Sequence, residues 1–413
     1  MRINKYSLII SLIIFFQLSG FYLLDDSVIH STDLAVFLEI ILCIVVYMLD
    51  YKNNVKNTYG FLFLSVFFLV FFSSWSANVN YGQPLFMGIR AQRSWLFSML
   101  MYFPINRLLK SKYYGIDQLL HTVDTCNIML FVVIFVQYIL GDHFIFLHIH
   151  NNVRYGEVRL YVQSIFLVIS FMRYLSIGLK NTFLNIKVLF FLIAPAFTIV
   201  FITKSRMQLI VFIAAIIVIL FKQKINSKKL LAIAIVSVLL GAFVTTQAGG
   251  DIISLMSGEK GTSQDTSLVR KQGREFYLRK LGTNPRNMLF GCGYPNTQWK
   301  KSNVESGIES GYLVVDNGII GQVFVYGIIY LIWGVIFYIS LLKKSLTVKS
   351  DMLLGFFLMG ILGVYTLVPY LSASYIAFPI MVAICENMVY EDVKKVEYLL
   401  PNKNIKCVIR KEK

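Results

Sequence analysis

The chain has 413 residues, of which 57% are hydrophobic and 15% charged, and its mean hydropathy is +0.66. Soluble domains carry about 25% charged residues, and no soluble core absorbs so many apolar runs of membrane-spanning length, so the composition is that of an all-α polytopic membrane protein. In such a protein the net charge of +17 belongs to loops and anionic headgroups rather than to nucleic acid.

In chain order, twelve spans are predicted: 7–24, 33–49, 59–77, 91–108, 122–140, 160–179, 186–203, 207–221, 230–247, 318–342, 351–369 and 372–390. They divide the chain into an N-terminal bundle (1–247, about nine helices), a large loop (248–317), C-terminal helices (318–390) and a basic tail (391–413). The start, Met1-Arg2-Ile3-Asn4-Lys5, runs straight into apolar sequence without a convincing cleavage site, which predicts an uncleaved first helix. Alternate loops are basic throughout, from Arg2 and Lys5 through Lys52, Arg107, Lys180, Lys222 and Lys343 to the tail ending at Lys413. By the positive-inside rule these loops and both termini face the cytoplasm.

The opposite set of loops should be poor in basic residues, and three places violate this: Arg90 with Arg93, Arg154 with Arg159, and Lys204 with Arg206. Arg90 and Arg93 are three apart and share a helix face if the fourth span starts that early. Each cluster is open to two readings, snorkelling to outer headgroups or lining an outward cavity that holds an anion. Arginine's planar fork suits phosphate and pyrophosphate oxygens. Arg173, well along the sixth span, is read as snorkelling inward.

His143, His148 and His150 lie in one outer loop, but no adjacent Cys or carboxylate joins the His148–His150 pair, so no metal site is predicted. The five cysteines form neither a CxxC pair nor a metal spacing. The loop 248–317 opens with a glycine- and serine-rich lead-in, followed by a helical stretch at 267–281 with Arg270, Lys271, Arg274, Arg279 and Lys280. That stretch reads either as a helix on the membrane surface or as a lid. Gly291-Cys292-Gly293-Tyr294-Pro295 and Trp299 follow, a composition shared by sugar-stacking loops and ordinary turns. Glu309 and Asp316 are seven apart, on one face if the next helix starts early. Asp316-Asn317 opens an apolar run ending at Lys343-Lys344, and its carboxylate reads both as an N-cap and as a reactive group at the membrane lip.

The assembled pattern resembles the lipid-linked polysaccharide polymerases of the Wzy type and their relatives, the O-antigen ligases. The residues that carry the likeness are Gly291-Cys292-Gly293 late in the loop, Asp316-Asn317, and Gly327 eleven residues after the acid. Ligases typically carry histidine where this chain has Asp316, and an acid there fits the polymerase branch. The resemblance implies a GT-C-like bundle in the bacterial cytoplasmic membrane. It implies a glycosyltransferase that joins polyprenyl-pyrophosphate-linked oligosaccharide units, with a chain-length regulator and a flippase as partners. In that reading Asp316, with Glu309 as alternate, takes the acceptor proton, while Arg90, Arg93, Arg154, Arg159, Lys204 and Arg206 hold pyrophosphate. No metal or other cofactor is expected. A flippase of lipid-linked oligosaccharides and an O-antigen ligase are the alternatives; the absence of an internal repeat between the halves speaks against a transporter.

Overall fold

Runs of Leu, Ile, Val and Phe with few breakers form helices here because every backbone amide must find a partner inside its own segment when water is absent. In the computed structural model the described residues are 4–222 apart from short interruptions (27, 50–54, 112, 142–143, 150, 155–156, 182, 184 and 204–205), scattered positions from 226 to 241, 266–363, and 376–388. The predicted span 230–247, the loop's lead-in at 248–265, the second half of 351–369 and the tail 391–413 therefore lie wholly or largely outside the described residues.

The first half contains α1 (Lys5–Gln17), α2 (Ser31–Leu49), α3 (Gly60–Tyr81), α4 (Leu85–Ala91), α5 (Arg93–Leu100), α6 (Tyr102–Lys110) and α7 (Ile116–Leu140). A two-stranded antiparallel hairpin, β1 (Asn151–Arg154) and β2 (Glu157–Leu160), precedes α8 (Ile165–Lys180), α9 (Ile186–Phe197) and α10 (Arg206–Lys222). Next come α11 (Thr266–Gly282), α12 (Pro285–Phe290) and α13 (Lys300–Glu305), then α14 (Gly318–Val348), α15 (Asp351–Gly363) and α16 (Ala377–Asn387). Among the described residues, four helical stretches are long and apolar enough to cross a membrane: Ser31–Leu49, Gly60–Tyr81, Ile116–Leu140 and Val314–Val348. Their outward side chains are themselves large and apolar, Phe37, Phe61 and Phe68 among them. Water penalises such a surface and hydrocarbon does not, so the fold is compatible with a helical membrane protein.

Several predicted spans are corrected. The run 91–108 is not one helix but parts of α4, α5 and α6. Pro104 removes the amide that would bond the Leu100 carbonyl, which breaks the chain at Met101. Arg90 and Arg93 consequently sit on different helices. The first helix stops at Gln17, after which Ser19, Gly20, Phe21 and Tyr22 all take positive φ (47–66°). The sixth span starts at Ile165 because Leu160 belongs to β2. The seventh passes from α9, with Pro195 inside it, into a π-turn at Thr198–Ile202.

Arg173 does not snorkel. Its guanidinium lies 2.6 Å from the Asp124 carboxylate, and the two side chains are only 9% and 2% exposed. Asp124 also accepts bonds from Ser170 Oγ at 2.6 Å and Tyr174 OH at 2.9 Å, tying α7 to α8. A second buried acid, Glu386 on α16, accepts from Lys110 Nζ at 2.5 Å, from the Thr58 amide at 3.0 Å and from Tyr102. It fixes α16 to α6 and to the turn before α3. Asp351, at the start of α15, takes Lys222 Nζ of α10 at 2.8 Å.

Breaking a buried pair strands one charge and costs about 3–5 kcal/mol, whereas replacing both members is often neutral. Asp124→Leu alone should therefore lower the thermal midpoint of the purified protein sharply, and Asp124→Leu with Arg173→Leu should restore most of the loss. Equal losses for the single and double variants would show that the pair does not act as a unit.

Candidate functional site

The site is assembled around an interruption in α14. Gly327 has φ 74° and ψ −176°, which splits the helix nine residues or about 14 Å from its start. The interruption exposes carbonyls that a continuous helix would use itself. Phe324 O accepts the Cys292 amide at 2.6 Å, and Val325 O accepts the Gly293 amide at 3.2 Å. The Gly291-Cys292-Gly293 turn is thus a backbone clasp on a broken helix. A Cβ on Gly327 would lie 2.0 Å from the Leu289 carbonyl oxygen, and one on Gly293 (φ 99°) would lie 2.2 Å from the Ala77 amide nitrogen of α3. Only glycine permits both approaches.

The other side of the clasp is held by the polar second half of α3 and the turn after it. Ser73 Oγ accepts the Tyr294 amide at 3.0 Å, and Asn80 Nδ2 donates to Cys292 O at 3.0 Å. Gln83 accepts from the Asn296 amide at 2.8 Å and donates to Tyr294 O at 3.2 Å. Trp299 Nε1 donates to Tyr81 O at 3.1 Å. Burial pushes the Cys292 thiol up to about 12, despite the nearby Lys280 and Arg286 cations. Burial thus disfavours its thiolate at neutral pH.

Between this clasp, α2 and α5 lies a cavity of about 380 Å³. Thr32, Ala35 and Val36 come from α2, and Ser94, Trp95 and Ser98 from α5. The loops add Tyr294, Pro295 and Thr297 together with Ile308 and 313–315, while Gln17 and Gln92 enter from helix ends. The broken helix contributes Gln322, Val325 and Tyr326. Amides, hydroxyls and aromatic rings dominate the polar lining, and among the described residues no Lys, Arg, Asp or Glu is part of it.

None of the predicted site residues lines this cavity, but four are chain neighbours of residues that do. Arg90 precedes Ala91, Arg93 lies between Gln92 and Ser94, Glu309 follows Ile308 and Asp316 follows Val315. Arg90 is exposed. Arg93 bonds the Arg90 carbonyl at 2.8 Å and pairs with Asp33 of α2 at 2.5 Å, so its charge already has a partner. Arg154 and Arg159 occupy the hairpin, where the register sets Arg154 opposite Glu157 and Arg159 opposite Asn152. Arg206 opens α10, and Lys204 lies outside the described residues. The cations are not gathered into one described cluster.

Glu309 and Asp316 do not share a helix face, because α14 starts only at Gly318. Glu309 lies in a turn, its amide bonded to Asn303 O at 3.2 Å. Asp316 sits exposed in a 3-10 turn, Val314–Asn317. It is not the helix cap. Asn317 holds that position without a side-chain cap bond, its Nδ2 donating to Leu313 O at 2.9 Å. Burial, then the nearby Asp316 carboxylate, hold the Tyr277 phenol of α11 above its usual range.

α11 packs on the start of α14 rather than standing free. Tyr277 and Leu281 are buried, Gly273 abuts the Asn317 side chain, and Tyr277 OH donates to Tyr312 O at 2.8 Å. Its exposed side carries Arg270, Lys271 and Arg279. Lys280 binds Glu305 of α13 at 2.6 Å and draws its carboxyl below the usual range. His143 and His150 lie outside the described residues, and His148 Nδ1 is 3.9 Å from Asp25.

Sequence reasoning missed Gln17, Glu39, Gln92, Ser98 and Gln322. A signal existed for Glu39, an acid inside the apolar run 34–49, since an ionisable group within a span marks function by default. The glutamines carry no charge and leave no such trace. No family model matches the chain, and no curated protein matches it.

Gly327→Ala should abolish folded protein or lower its thermal midpoint by many degrees, and the positive φ at this position prevents relief by small shifts. Normal size-exclusion behaviour and unchanged melting of that variant would contradict the clasp. A second expectation concerns pH. Because the Glu305 carboxyl is depressed, its bond to Lys280 is present above the usual carboxylate range and is lost as pH falls through the depressed value. Exchange of the 300–305 amides, corrected for intrinsic rates, should rise below about pH 4, and Lys280→Gln should remove that dependence.

Proposed function

We propose that the chain is a polysaccharide polymerase: a membrane glycosyltransferase that joins polyprenyl-pyrophosphate-linked oligosaccharide repeat units on the outer face of the bacterial cytoplasmic membrane. In this reading about twelve spans form a GT-C-like bundle with both termini in the cytoplasm. The observation that carries the proposal is the cavity beside the broken helix α14. It is lined by amides, hydroxyls and aromatic rings, and Asp316 and Glu309 stand one residue from its loop-side lining. Unwound backbone within a membrane bundle is tolerated where it lines a cavity, and pockets of about 300–1,000 Å³ are the usual size for small-molecule sites.

The chemistry asks little of the protein beyond position and charge. A hydroxyl oxygen of the incoming unit forms the new bond to the anomeric carbon of the growing chain. The carbon–oxygen bond to pyrophosphate breaks, and its electron pair leaves with the phosphate oxygen. Asp316 accepts the hydroxyl proton, with Glu309 as alternate. Arg90 is the exposed cation nearest in sequence to the cavity; with Arg154, Arg159, Lys204 and Arg206 it would offset the charge on the departing pyrophosphate. Arg93 joins that role only by leaving Asp33. The donor is the lipid-linked glycan, so no nucleotide sugar enters.

The test supplies purified protein in lipid with a synthetic polyprenyl-pyrophosphate repeat unit, chelator and no nucleotide sugar, and reads glycan length by mass spectrometry. Wild type should give a ladder of repeat multiples. Asp316→Asn should slow it at least about 100-fold, and Arg206→Ala should weaken it. Folded wild type that yields no ladder from its matched substrate would end the polymerase reading and direct attention to flipping.

A further inference from the structure

Arg286 of α12 is a cation held only by neutral groups among the described residues. Its Nη2 donates to Asn80 Oδ1 at 2.9 Å and to Asn287 Oδ1 at 3.1 Å, and its guanidinium lies 5.8 Å from the centre of the Trp75 ring. Both amides are oriented by bonds on their other side: Asn80 Nδ2 donates to Cys292 O at 3.0 Å, and Asn287 Nδ2 to Lys280 O at 3.5 Å. A carbonyl only accepts, so the two amide oxygens must face the guanidinium. Lys280, the other cation near Cys292, is paired with Glu305. No carboxylate pairs with Arg286 among the described residues, and Arg286 is partly exposed.

A ladder of rings runs from this cation along α3. Phe290, one turn further along α12, lies 6.1 Å from Trp75 and stacks on Phe72 at 4.7 Å, and Phe72 adjoins Phe71 at 5.7 Å. Trp75, Phe72 and Phe290 are partly exposed, while Phe71, Met288 and Leu289 are 47%, 52% and 48% exposed. Asn80 lies twenty residues after Gly60, about 30 Å along α3, which matches the thickness of a hydrocarbon layer. Phe72 lies about 12 Å closer to Gly60. The guanidinium therefore stands at the boundary of hydrocarbon and headgroups, Trp75 just inside it where tryptophan concentrates, and the Phe290–Phe72 stack among acyl chains.

We propose that α12 and the end of α3 seat an anionic phospholipid of the bilayer, with its phosphate on Arg286 and an acyl chain along Phe72, Phe290 and the exposed Met288 and Leu289. A cation at the edge of hydrocarbon is costly unless it is paired. Here two asparagines and Trp75 hold it in place without neutralising it, and a lipid phosphate completes the pair. Phosphate suits the guanidinium both in charge and in the geometry of its oxygens. Trp75, Asn80, Arg286 and Phe290 are all absent from the cavity lining. That separation favours a bilayer phospholipid over a carrier lipid, whose sugar would have to enter the cavity. The bound lipid braces the clasp through Asn80, which holds both Arg286 and the Cys292 carbonyl.

The experiment titrates the full chain, purified in detergent, with phosphatidylglycerol or with phosphatidylcholine of the same acyl chains, and reads retained lipid by native mass spectrometry. The choline cation opposes the Arg286 charge, so wild type should retain phosphatidylglycerol about 10-fold more tightly. Arg286→Gln should remove that preference, and Arg279→Gln, at an exposed cation of α11, should leave it unchanged. Phosphatidylglycerol with a diazirine in its acyl chain should label the peptide that contains Met288 and Leu289. This labelling needs no variant, so misfolding of Arg286→Gln does not blunt the test. Equal retention of the two lipids overturns the proposal, as does labelling that spares 285–290. Equal losses for Arg279→Gln and Arg286→Gln also overturn it, because the attraction would then belong to the basic loop as a whole. Tighter, Arg286-dependent retention of polyprenyl phosphate than of phosphatidylglycerol overturns it in favour of a carrier site.

Discussion

The arrangement depends on one backbone exchange: the carbonyls of Phe324 and Val325, released by the break at Gly327, are taken by the amides of Cys292 and Gly293. In a hydrocarbon setting an unsatisfied carbonyl costs several kcal/mol, so a broken membrane helix persists only if another segment supplies donors. The loop before α14 does so, and in turn is held by Ser73, Asn80 and Gln83 at the far end of α3. α3, the loop and α14 are therefore one unit, and the cavity is the space this unit leaves against α2 and α5.

Buried polar groups elsewhere in the bundle follow a different logic. Asp124 with Arg173, Glu386 with Lys110 and Asp351 with Lys222 each close a charge pair between helices distant in sequence. Each carboxylate is almost wholly buried, and each meets its cation directly. These pairs specify which helices adjoin, since a mispaired helix would strand a charge. Beside the cavity, the carboxyl of Glu39 meets only the neutral donors of Gln17 and Ser98 among the described residues.

The helical class, the placement of the major apolar helices and the helix at 267–281 were legible from composition and pattern; the importance of the glycines at 291, 293 and 327 came only through the family resemblance. The neighbourhood of the site was legible as well, since Arg90, Arg93, Glu309 and Asp316 all adjoin lining residues. The specific roles were less legible. Arg93 looked like an anion ligand but is paired with Asp33, Arg173 looked like a snorkelling residue but is buried against Asp124, and Asp316 looked like a helix cap but precedes the cap. For the two arginines the reason is the same: each is paired with a carboxylate on another helix, Asp33 or Asp124, which chain order does not reveal.

By itself the sequence determined what hydropathy and charge encode locally: helices of an apolar, lipid-compatible surface and a polar loop of unusual length. Only the tertiary structure decided that a glycine breaks a helix, that a loop turn repairs the break, and that neutral glutamines from three helical regions converge beside it. Apolar periodicity is a property of neighbouring residues and can be read along the chain. Hydrogen-bond satisfaction is a property of residues hundreds of positions apart, as the Gln17 carboxamide and the Ile376 amide show, and it exists only once the helices have packed.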